Sequence, residues 1–340
     1  MMPKFDHYII IGNGPAGNSA AEVLRMHDDQ ARVSIISDEG FPYYYRHMLC
    51  EFISGKKKED ALKVKPASDY KEKNIRMRLG QRVERIEPET KTLYLKHMEK
   101  VKFTRLILAT GASPHVVPSL SRFEKHFSFM SKYSDALKVK PLLSPARKVA
   151  ILGGDLVSLK FAKMLSAMKK EVTFFLYKDC FYPFELTADM ASAIEKHFSG
   201  KKIKTFADIF PSRIESKGKA FEIETENGEN LTVDIIFCFM GMRPNINFIQ
   251  GSGIDTERGV LVDEHLKTNV SDIYACGDCA QIYNPELKNY WISVGWENAG
   301  IQGETAALNL LGESKVIKPS QKKILDVEGL KVNTSWWKEL

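Results

Sequence analysis

The sequence predicts an α/β protein with two doubly wound, Rossmann-like domains, each built on a parallel sheet, because one βαβ pattern occurs twice. Residues 8–17 (YIIIGNGPAG) and residues 149–158 (VAILGGDLVS) are both a β-branched apolar strand that runs into a glycine turn. Parallel sheets bind ligands at the carboxyl ends of their strands. Both glycine turns are therefore candidate binding sites.

Each glycine turn is followed by the same succession of elements. A segment with helical period comes first and an apolar strand follows it, at residues 19–26 and 33–36 in the first copy and at residues 156–168 and 172–176 in the second. A strand, a glycine and a proline close both copies, at residues 106–114 (LILATGASP) and 236–244 (IFCFMGMRP).

Length and composition agree with two compact domains. The chain has 340 residues, 44% hydrophobic and 27% charged, which excludes disorder, collagen and coiled coil as the main architecture. The longest apolar run, around residues 235–242, is under half of the ~18–20 residues that a membrane helix needs. The start, MMPKFDHYIII, lacks the pattern of a signal peptide, and five cysteines fit a reducing compartment. We therefore expect a cytoplasmic protein without a membrane span.

The charge balance is mildly basic. Lys and Arg number 49 against 43 Asp and Glu, a net charge of +6 spread along the chain. The densest run, residues 56–58 (KKK), fits either a solvated surface turn or a docking patch for an acidic partner. No recognised nucleic-acid reader motif accompanies the charge, so no nucleic-acid partner is expected.

The first glycine turn fits the G-x-G-x-x-G pattern of a dinucleotide site. Gly12 makes the tight turn, Gly14 lets the backbone approach a pyrophosphate, and Gly17 lets the helix pack against the strand. Pro15 and Ala16 lie between these glycines, where the helix N-terminus offers N–H groups and partial positive charge to phosphates. Asp38 and Glu39 close the second strand. Either of them is a candidate for binding an adenosine ribose.

Further segments resemble the pyridine nucleotide-disulfide oxidoreductase superfamily of two-domain flavoproteins. IYACGDCA at 273–280 looks like the second FAD fingerprint, ATGASP at 109–114 resembles the crossover out of the FAD domain, and GMRPN at 241–245 the return. DEGFPYYYRHML at 38–49 is similar to the segment that lies along the FAD pyrophosphate and flavin in one branch of the family. That branch contains the nitrite reductase large subunit, rubredoxin reductase and ferredoxin reductase. WENAGIQGETAALNLLG at 296–312 resembles the last helix of the family.

The resemblance implies a bound FAD and residues that hold it. In the family, the Asp of the second fingerprint holds the ribityl chain, which here is Asp278 after Gly277. The last helix points its N-terminus at the flavin N1–C2=O edge, and that N-terminus would stabilise the reduced anionic flavin. Arg46 has the fork geometry to pair with a pyrophosphate oxygen, or is a surface arginine. The remaining cofactor-binding candidates are Ala109, Thr110 and Gly111 in the crossover and Glu297 and Gln302 in the last helix.

The same resemblance divides the chain. The FAD-binding domain is expected to be discontinuous, with an NAD(P)-binding-like domain inserted in it and a shortened interface segment after it. The expected boundaries are 1–112 for the first part of the FAD domain, 113–245 for the NAD(P)-like domain, 246–312 for the second part, and 313–340 for the interface segment.

The second glycine turn departs from the family pattern at three positions. Asp155 stands where the central glycine is expected, Lys160 where the family usually has a Glu that faces the nicotinamide, and Leu176 where a ribose-binding residue is expected, although Tyr177 and Lys178 follow. Two like charges ~4 Å apart repel by roughly 4 kcal/mol at an effective dielectric constant of about 20. The second turn is therefore either a working NAD(P)H site or a weakened or lost one in a domain kept as structure.

The cysteines do not predict thiol chemistry or a metal site. The position of the single family cysteine falls at His47, which is a candidate proton relay or a packing residue. Cys276 and Cys279 bracket the FAD fingerprint and are expected to be buried thiols, and Cys180 and Cys238 to be core residues. Near the chain end, Trp336 and Trp337 suggest an anchor on a partner, with local packing as the alternative.

Together these features predict a FAD-containing oxidoreductase. We expect the electron-transfer flavoprotein subunit of a hetero-oligomeric redox complex, which exchanges electrons with an iron–sulfur or similar protein. One alternative is a self-sufficient NAD(P)H-dependent reductase of a small iron or iron–sulfur protein. The other is a non-catalytic assembly subunit that keeps FAD as a structural ligand.

Overall fold

A computed structural model describes residues 6–177, 188–286, 288–293, 295–317, 324–327 and 330–333. Lys178, Cys180, Trp336 and Trp337 lie outside the described residues. Seven α-helices and 23 strands are described, in the chain order β1 (His7–Ile11), α1 (Pro15–His27), β2 (Arg32–Ile36), α2 (Leu49–Ile53), α3 (Ala67–Glu72), β3 (Ile75–Arg78), β4 (Val83–Glu87), β5 (Thr92–Leu95), β6 (Lys100–Lys102), β7 (Arg105–Leu108), β8 (Ala112–Pro114), β9 (Phe127–Ser128), α4 (Tyr133–Leu143), β10 (Lys148–Gly153), α5 (Leu156–Ala167), β11 (Glu171–Leu176), α6 (Ala188–Phe198), β12 (Ile203–Ala207), β13 (Pro211–Lys217), β14 (Ala220–Thr225), β15 (Asn230–Val233), β16 (Ile235–Phe239), β17 (Met242–Pro244), β18 (Val260–Val262), β19 (Ile273–Ala275), β20 (Ala280–Asn284), β21 (Asn289–Trp291), α7 (Trp296–Leu310), β22 (Ile324–Val327) and β23 (Leu330–Asn333).

The first parallel sheet has five strands in the order β19-β7-β1-β2-β3. β1 lies at its centre, with Ile11 opposite Ile36 of β2 and opposite Leu108 of β7. These apolar strands are buried on both faces, as expected for a sheet covered by helices. β19, from the far end of the sequence, pairs with β7 and completes the sheet.

The second parallel sheet repeats this arrangement in the order β12-β11-β10-β16-β9. β10 takes the place of β1, and it pairs with β11 on one side and β16 on the other. The predicted repeat is therefore confirmed, strand by strand, in both sheets. α1 and α5 follow the two glycine turns. They begin at equivalent positions of the repeat, Pro15 and Leu156.

Smaller antiparallel units complete the fold. The two crossover segments pair with each other, since β8 and β17 form a ladder in which Ser113 is opposite Arg243. Two three-stranded sheets are formed by β4-β5-β6 and β13-β14-β15, and a mixed one by β18-β20-β21. Near the chain end β22 and β23 form a hairpin.

α1 and α7 pack very closely, and small residues make this possible. A Cβ atom on Gly303 would lie 2.0 Å from the Ala16 carbonyl oxygen, and one on Gly277 would lie 3.1 Å from the Ala16 Cβ. The close approach brings the Gly277 turn against the start of α1. Two segments far apart in sequence therefore meet at the first glycine turn.

The buried side chains connect the two sheets. One apolar cluster includes Leu49, Phe52 and Leu62 from the region after β2 together with Tyr133 of α4 and Phe161 of α5. Four cysteines are buried, as expected for the last three of them: Cys50, Cys238, Cys276 and Cys279. Within the described residues, no helix combines the length and the apolar character that crossing a membrane requires.

Candidate functional site

The first glycine turn has the geometry of a nucleotide-binding turn. Gly12 has φ +124°, and a Cβ atom there would lie 1.9 Å from the Ala109 carbonyl oxygen. A Cβ atom on Gly17 would lie 2.0 Å from the Gly12 carbonyl oxygen, so both positions require glycine. Around Gly14, in contrast, no described atom beyond its own neighbours in the chain lies within 4 Å of the Cβ position. The open space is therefore where the pattern expects a pyrophosphate.

The N-terminus of α1 is open to a ligand. Gly14 is the N-cap residue and no side chain caps the helix, while Pro15 occupies the first turn. The backbone hydrogen bond from Asn18 N to Gly14 O is 3.0 Å long. The helix dipole and the free amides ahead of this bond suit an anion.

A cavity of about 300 Å³ lies beside this turn, at the carboxyl ends of β1 and β2. Gly12, Asp38 and Thr110 line it, which brings three predicted site residues together. The Asp38 carboxylate lies 3.1 Å from the Lys132 ammonium. Cationic side chains that line the cavity and were not predicted are Arg82, Lys132 and Arg243.

Asp38 and Glu39 contact different parts of the structure. Glu39 receives hydrogen bonds from Arg46 Nη2 at 2.7 Å and from the Tyr44 hydroxyl at 2.8 Å. Arg46 also donates to the Ser131 carbonyl, and its side chain is 40% exposed. Both acidic residues were candidates for the ribose, and Asp38 is the one that lines the cavity. The contact of Arg46 with a pyrophosphate stays a prediction.

The crossover segments are tied to each other at the cavity. The Thr110 hydroxyl donates to the Asn245 carbonyl at 2.8 Å, and Asn245 Nδ2 donates to the Thr110 carbonyl at 2.9 Å. Gly111, at φ +62°, accepts a hydrogen bond from Asn245 N at 3.0 Å. Ala109 is buried beneath them and closes the floor behind Gly12.

The second fingerprint presents a carboxylate with unused hydrogen-bonding capacity. Asp278 is partly buried, and no hydrogen bond to its carboxylate occurs within the described residues. Desolvation raises its pKa to about 6, although the nearby Arg46 lowers it. The preceding Gly277, at φ +74°, donates its N–H to Gln302 Oε1 at 2.8 Å, and Gln302 Nε2 donates to the Ser293 carbonyl at 3.2 Å. Gln302 therefore links the turn that carries Asp278 to the segment that precedes α7.

The start of α7 lies within a group of aromatic rings. Trp296 stacks on Tyr43 at 5.3 Å, and the Tyr45 and His47 rings lie 5.7 and 5.5 Å from it. Burial and the Lys160 ammonium lower the pKa of His47, so the imidazole is neutral at pH 7. The next residue, Glu297, is exposed in the first turn of α7.

The second glycine turn has the same backbone but a different helix start. Gly153 has φ +152°, and a Cβ atom there would lie 2.0 Å from the Phe239 carbonyl oxygen, as at Gly12. Asp155 is the N-cap of α5, and its carboxylate accepts a hydrogen bond from Ser158 N at 2.7 Å. Desolvation raises the pKa of Asp155 to about 6, against hydrogen bonds that lower it. The α5 N-terminus therefore already binds a carboxylate of its own chain.

The prediction for Leu176 was wrong by one residue. Leu176 pairs in register with Gly153 inside the sheet and is only 1% exposed, so it faces the core. In the first sheet Ile11 is opposite Ile36, which makes Asp38 equivalent to Tyr177 rather than to Leu176. Tyr177 is also buried and stacks on Phe210 with ring centroids 4.1 Å apart.

Lys160 contacts the region that precedes the first crossover. Its ammonium lies 3.0 Å from Glu51 Oε1 and 3.3 Å from the His47 carbonyl oxygen. Glu51 was not predicted as a partner, and its proximity in sequence to His47 was the available signal. Within the described residues, no group of three or more metal-ligating side chains occurs.

The residues of the first turn fit FAD. Gly14 leaves open space, the α1 amides lack a cap, and Asp278 has a carboxylate with free acceptor capacity at the edge of the same region. The second turn fits a nucleotide less well, because Asp155 occupies the amides that a pyrophosphate would use.

Comparisons with known proteins agree with this assignment. The profile of the pyridine nucleotide-disulphide oxidoreductase family matches residues 6–301. The chain is 32% identical to the NADH-rubredoxin oxidoreductase of Clostridium acetobutylicum, over 97% of this chain and 81% of that protein. It is 24% identical to the NADH-dependent phenylglyoxylate dehydrogenase subunit epsilon of Aromatoleum evansii, over 91% of this chain and 73% of that protein.

Solved structures show the same relationship. The crystal structure of NADH:rubredoxin oxidoreductase from Clostridium acetobutylicum has a TM-score of 0.77 and 27% identity, and the match covers 96% of this chain and 80% of that one. The family profile spans most of the chain, and the first relative exceeds 30% identity over nearly the whole of this chain. The chain therefore belongs to the pyridine nucleotide-disulphide oxidoreductase family and is a FAD-dependent oxidoreductase.

Proposed function

We propose that this flavoprotein transfers electrons between its FAD and a protein redox partner, and that it does so as a subunit of a hetero-oligomeric complex. The observation that carries the proposal is the contrast between the two helix N-termini. α1 begins at an uncapped Gly14, whereas α5 begins at Asp155, whose carboxylate lies 2.7 Å from Ser158 N. The first turn suits a dinucleotide, and the second is occupied from within.

The residues that would hold FAD follow from the first turn. Gly12, Gly14 and Gly17 would admit the pyrophosphate to the α1 N-terminus, and Asp38 would bind the adenosine ribose. Asp278 would accept hydrogen bonds from the ribityl hydroxyls, held in place by Gln302 behind Gly277. Bound there, FAD supplies one- and two-electron redox chemistry.

The residues at the start of α7 would orient and tune the flavin. The α7 N-terminus brings partial positive charge to the region beyond Asp278, which favours a reduced, anionic flavin. Tyr43, Tyr45 and Trp296 form an apolar wall that excludes water from this side. His47 is exposed at the edge of that wall, where a neutral imidazole can take up a proton.

A domain division supports this arrangement. We propose a FAD domain made of residues 1–112 and 246–312, an inserted domain of residues 113–245, and an interface segment of residues 313–340. The pairing of β19 with β7 in the first sheet, and of β8 with β17 at the crossovers, supports these boundaries.

The nature of the partner is proposed from the relatives. One relative is named as a rubredoxin reductase and another as a subunit of a dehydrogenase complex, so a small iron–sulfur or iron protein is the class that we propose for this chain. The free, buried thiols of Cys276 and Cys279 fit a reducing compartment, and we propose the cytoplasm.

The test is anaerobic reduction of the purified, FAD-loaded protein in a stopped-flow instrument. We expect NADH and NADPH to bleach the flavin slowly or only at millimolar concentration, and the co-purified redox partner to exchange electrons with the flavin rapidly. A partner that leaves the flavin spectrum unchanged in both directions would contradict the proposal.

A second candidate is a self-sufficient NADH-dependent reductase. The observation that favours it is the 32% identity to a protein named NADH-rubredoxin oxidoreductase. The same experiment distinguishes the two, because this candidate requires fast bleaching at micromolar NADH in the absence of any partner.

A further inference from the structure

Asn18 makes an unusual set of hydrogen bonds behind the first glycine turn. Its side chain is buried, at 2% exposure, on the first turns of α1. Nδ2 lies 3.1 Å from the Asn13 carbonyl oxygen, 2.9 Å from Asn13 Oδ1 and 3.1 Å from the Gly14 carbonyl oxygen. One amide group therefore engages acceptors of both residues that precede the helix.

Tyr70 of α3 contacts the oxygen end of the Asn18 amide. Its hydroxyl donates to Asn18 Oδ1, and Tyr70 is 3% exposed. The Asn13 and Gly14 carbonyls can only accept, so the nitrogen of Asn18 must face the glycine turn, and its oxygen is left to accept from Tyr70. Burial raises the pKa of Tyr70, so the hydroxyl keeps the proton that it donates.

The contacts continue from the turn to the segment that follows β2. Asn13 Nδ2 donates to the Phe41 carbonyl at 3.2 Å, and the Phe41 ring stacks on Tyr133 with centroids 3.8 Å apart. Asn13 thus connects the glycine turn to the chain that carries Arg46 and His47.

The internal repeat provides a comparison within the same molecule. Since Gly12 is equivalent to Gly153, Asn18 is equivalent to Leu159, which is buried and apolar. The bond from Leu159 N to Asp155 O, at 3.3 Å, corresponds to that from Asn18 N to Gly14 O. In the second turn the Asp155 carboxylate caps the helix, and an apolar leucine stands at the position of Asn18. In the first turn no side chain caps the helix, and a buried asparagine holds the turn from behind.

We propose that Asn18, oriented by Tyr70, is a positioning residue for FAD that holds the carbonyls of the glycine turn on the side away from the ligand. The Asn13 carbonyl shares its peptide plane with the Gly14 N–H, so its hydrogen bond with Nδ2 keeps that N–H directed toward the pyrophosphate before FAD arrives. This preorganisation lowers the cost of binding. The inference rests on the proposed binding of FAD at this turn.

The test compares FAD affinity in three variants with the wild-type protein. Asn18→Leu places the residue of the second repeat in the first, and Tyr70→Phe removes only the hydroxyl that orients Asn18. The matched control is Asn309→Leu, because Asn309 is also buried and its Nδ2 also donates to two backbone carbonyls, those of His265 and Lys315, near the end of α7. FAD release from the loaded proteins is followed by flavin fluorescence, together with the melting temperature, the bound-flavin spectrum and the midpoint potential.

We expect the FAD dissociation constant to rise at least tenfold in Asn18→Leu and about threefold in Tyr70→Phe, with an unchanged bound-flavin spectrum and potential. Asn309→Leu should lower the melting temperature and leave the dissociation constant within twofold of wild type. A dissociation constant within twofold in both Asn18→Leu and Tyr70→Phe overturns the proposal, and if Asn18→Leu does not fold, the Tyr70→Phe result decides alone. A wild-type protein that binds no FAD overturns the proposed function as well, whereas unaffected variants of a protein that does bind FAD overturn only the role of Asn18.

Discussion

Lys160 of α5 and Glu51 of α2 form an ion pair, 3.0 Å long, that joins the helix after the second glycine turn to the segment after the first. The two side chains are 33% and 30% exposed, and Glu51 Oε2 is buried with no hydrogen-bond partner among the described residues. Lys160 is therefore the cation that pairs with this partly buried carboxylate. Lys160 therefore has a structural role at this interface.

Removal of the Lys160 charge should destabilise the protein. In Lys160→Met the Glu51 carboxylate loses its cation, and we expect a cost of about 1–2 kcal/mol, which corresponds to a melting temperature lower by a few degrees. Glu51→Gln in the Lys160→Met background should recover much of this loss. The exchanged pair Glu51→Lys with Lys160→Glu should be more stable than either single exchange. Additive effects in this double-mutant cycle, measured by thermal unfolding, would show that the pair contributes nothing.

Gly14→Val should abolish FAD binding without unfolding the protein. Apart from Gly14's own neighbours in the chain, no described atom lies within 4 Å of its Cβ position, and its φ of −86° is open to any L-residue. We therefore expect the new side chain to obstruct the ligand and to leave the fold intact. Gly17→Val is the informative contrast, because its Cβ would lie 2.0 Å from the Gly12 carbonyl oxygen. We expect the first variant to be colourless with a normal apoprotein melting temperature and the second to lose both. A yellow Gly14→Val protein with one FAD per chain would show that the cofactor is placed wrongly.

The glycines of the two turns also show what the sequence could predict. Gly12, Gly17 and Gly153 were predictable because their backbone positions admit no side chain, and such positions define the pattern itself. The repeated order of strands followed from apolar segments and their spacing. The end of β11 was not predictable to the residue, because an apolar run does not reveal which of Leu176 and Tyr177 pairs last in the sheet.

Side-chain partners were harder to predict than backbone geometry. Asp38 and Glu39 are adjacent, and only the fold shows that Glu39 turns to Arg46 while Asp38 lines the cavity. Asp155 was expected to oppose a pyrophosphate from the central position of the turn. The structure adds that its carboxylate caps α5, which no spacing in the sequence distinguishes from a side chain directed outward.

Asp155→Gly should open the second turn to nucleotides. The substitution frees Ser158 N and removes the negative charge, so we expect the affinity for NADH to rise about tenfold, equivalent to ~1.4 kcal/mol. The loss of the N-cap should cost no more than a few tenths of a kcal/mol, because glycine is itself an acceptable N-cap residue. Asp155→Asn retains a capping side chain without the charge and separates the two effects. Nucleotide affinity measured by calorimetry that is equal in all three proteins would contradict this interpretation.

The affinity of the second turn for NAD⁺ should depend on pH through Asp155. Desolvation raises the pKa of this carboxyl from 3.8 to about 6, so it is ionised at pH 7.5 and becomes protonated as the pH falls below about 6. Protonation removes the repulsion between the carboxylate and the pyrophosphate, and we therefore expect NAD⁺ to bind more tightly at pH 5.5 than at pH 7.5. The same raised pKa means that the folded protein binds more protons than the unfolded chain between pH 4 and 6, so the contribution of Asp155 to stability falls as the pH rises through this range. Asp155→Asn should show neither dependence, and calorimetric titration with NAD⁺ across this pH range measures the first directly. Two results together would show that the carboxylate does not control this site. The wild-type affinity for NAD⁺ would be the same at pH 5.5 and pH 7.5, and Asp155→Asn would bind NAD⁺ no more tightly than the wild type at pH 7.5.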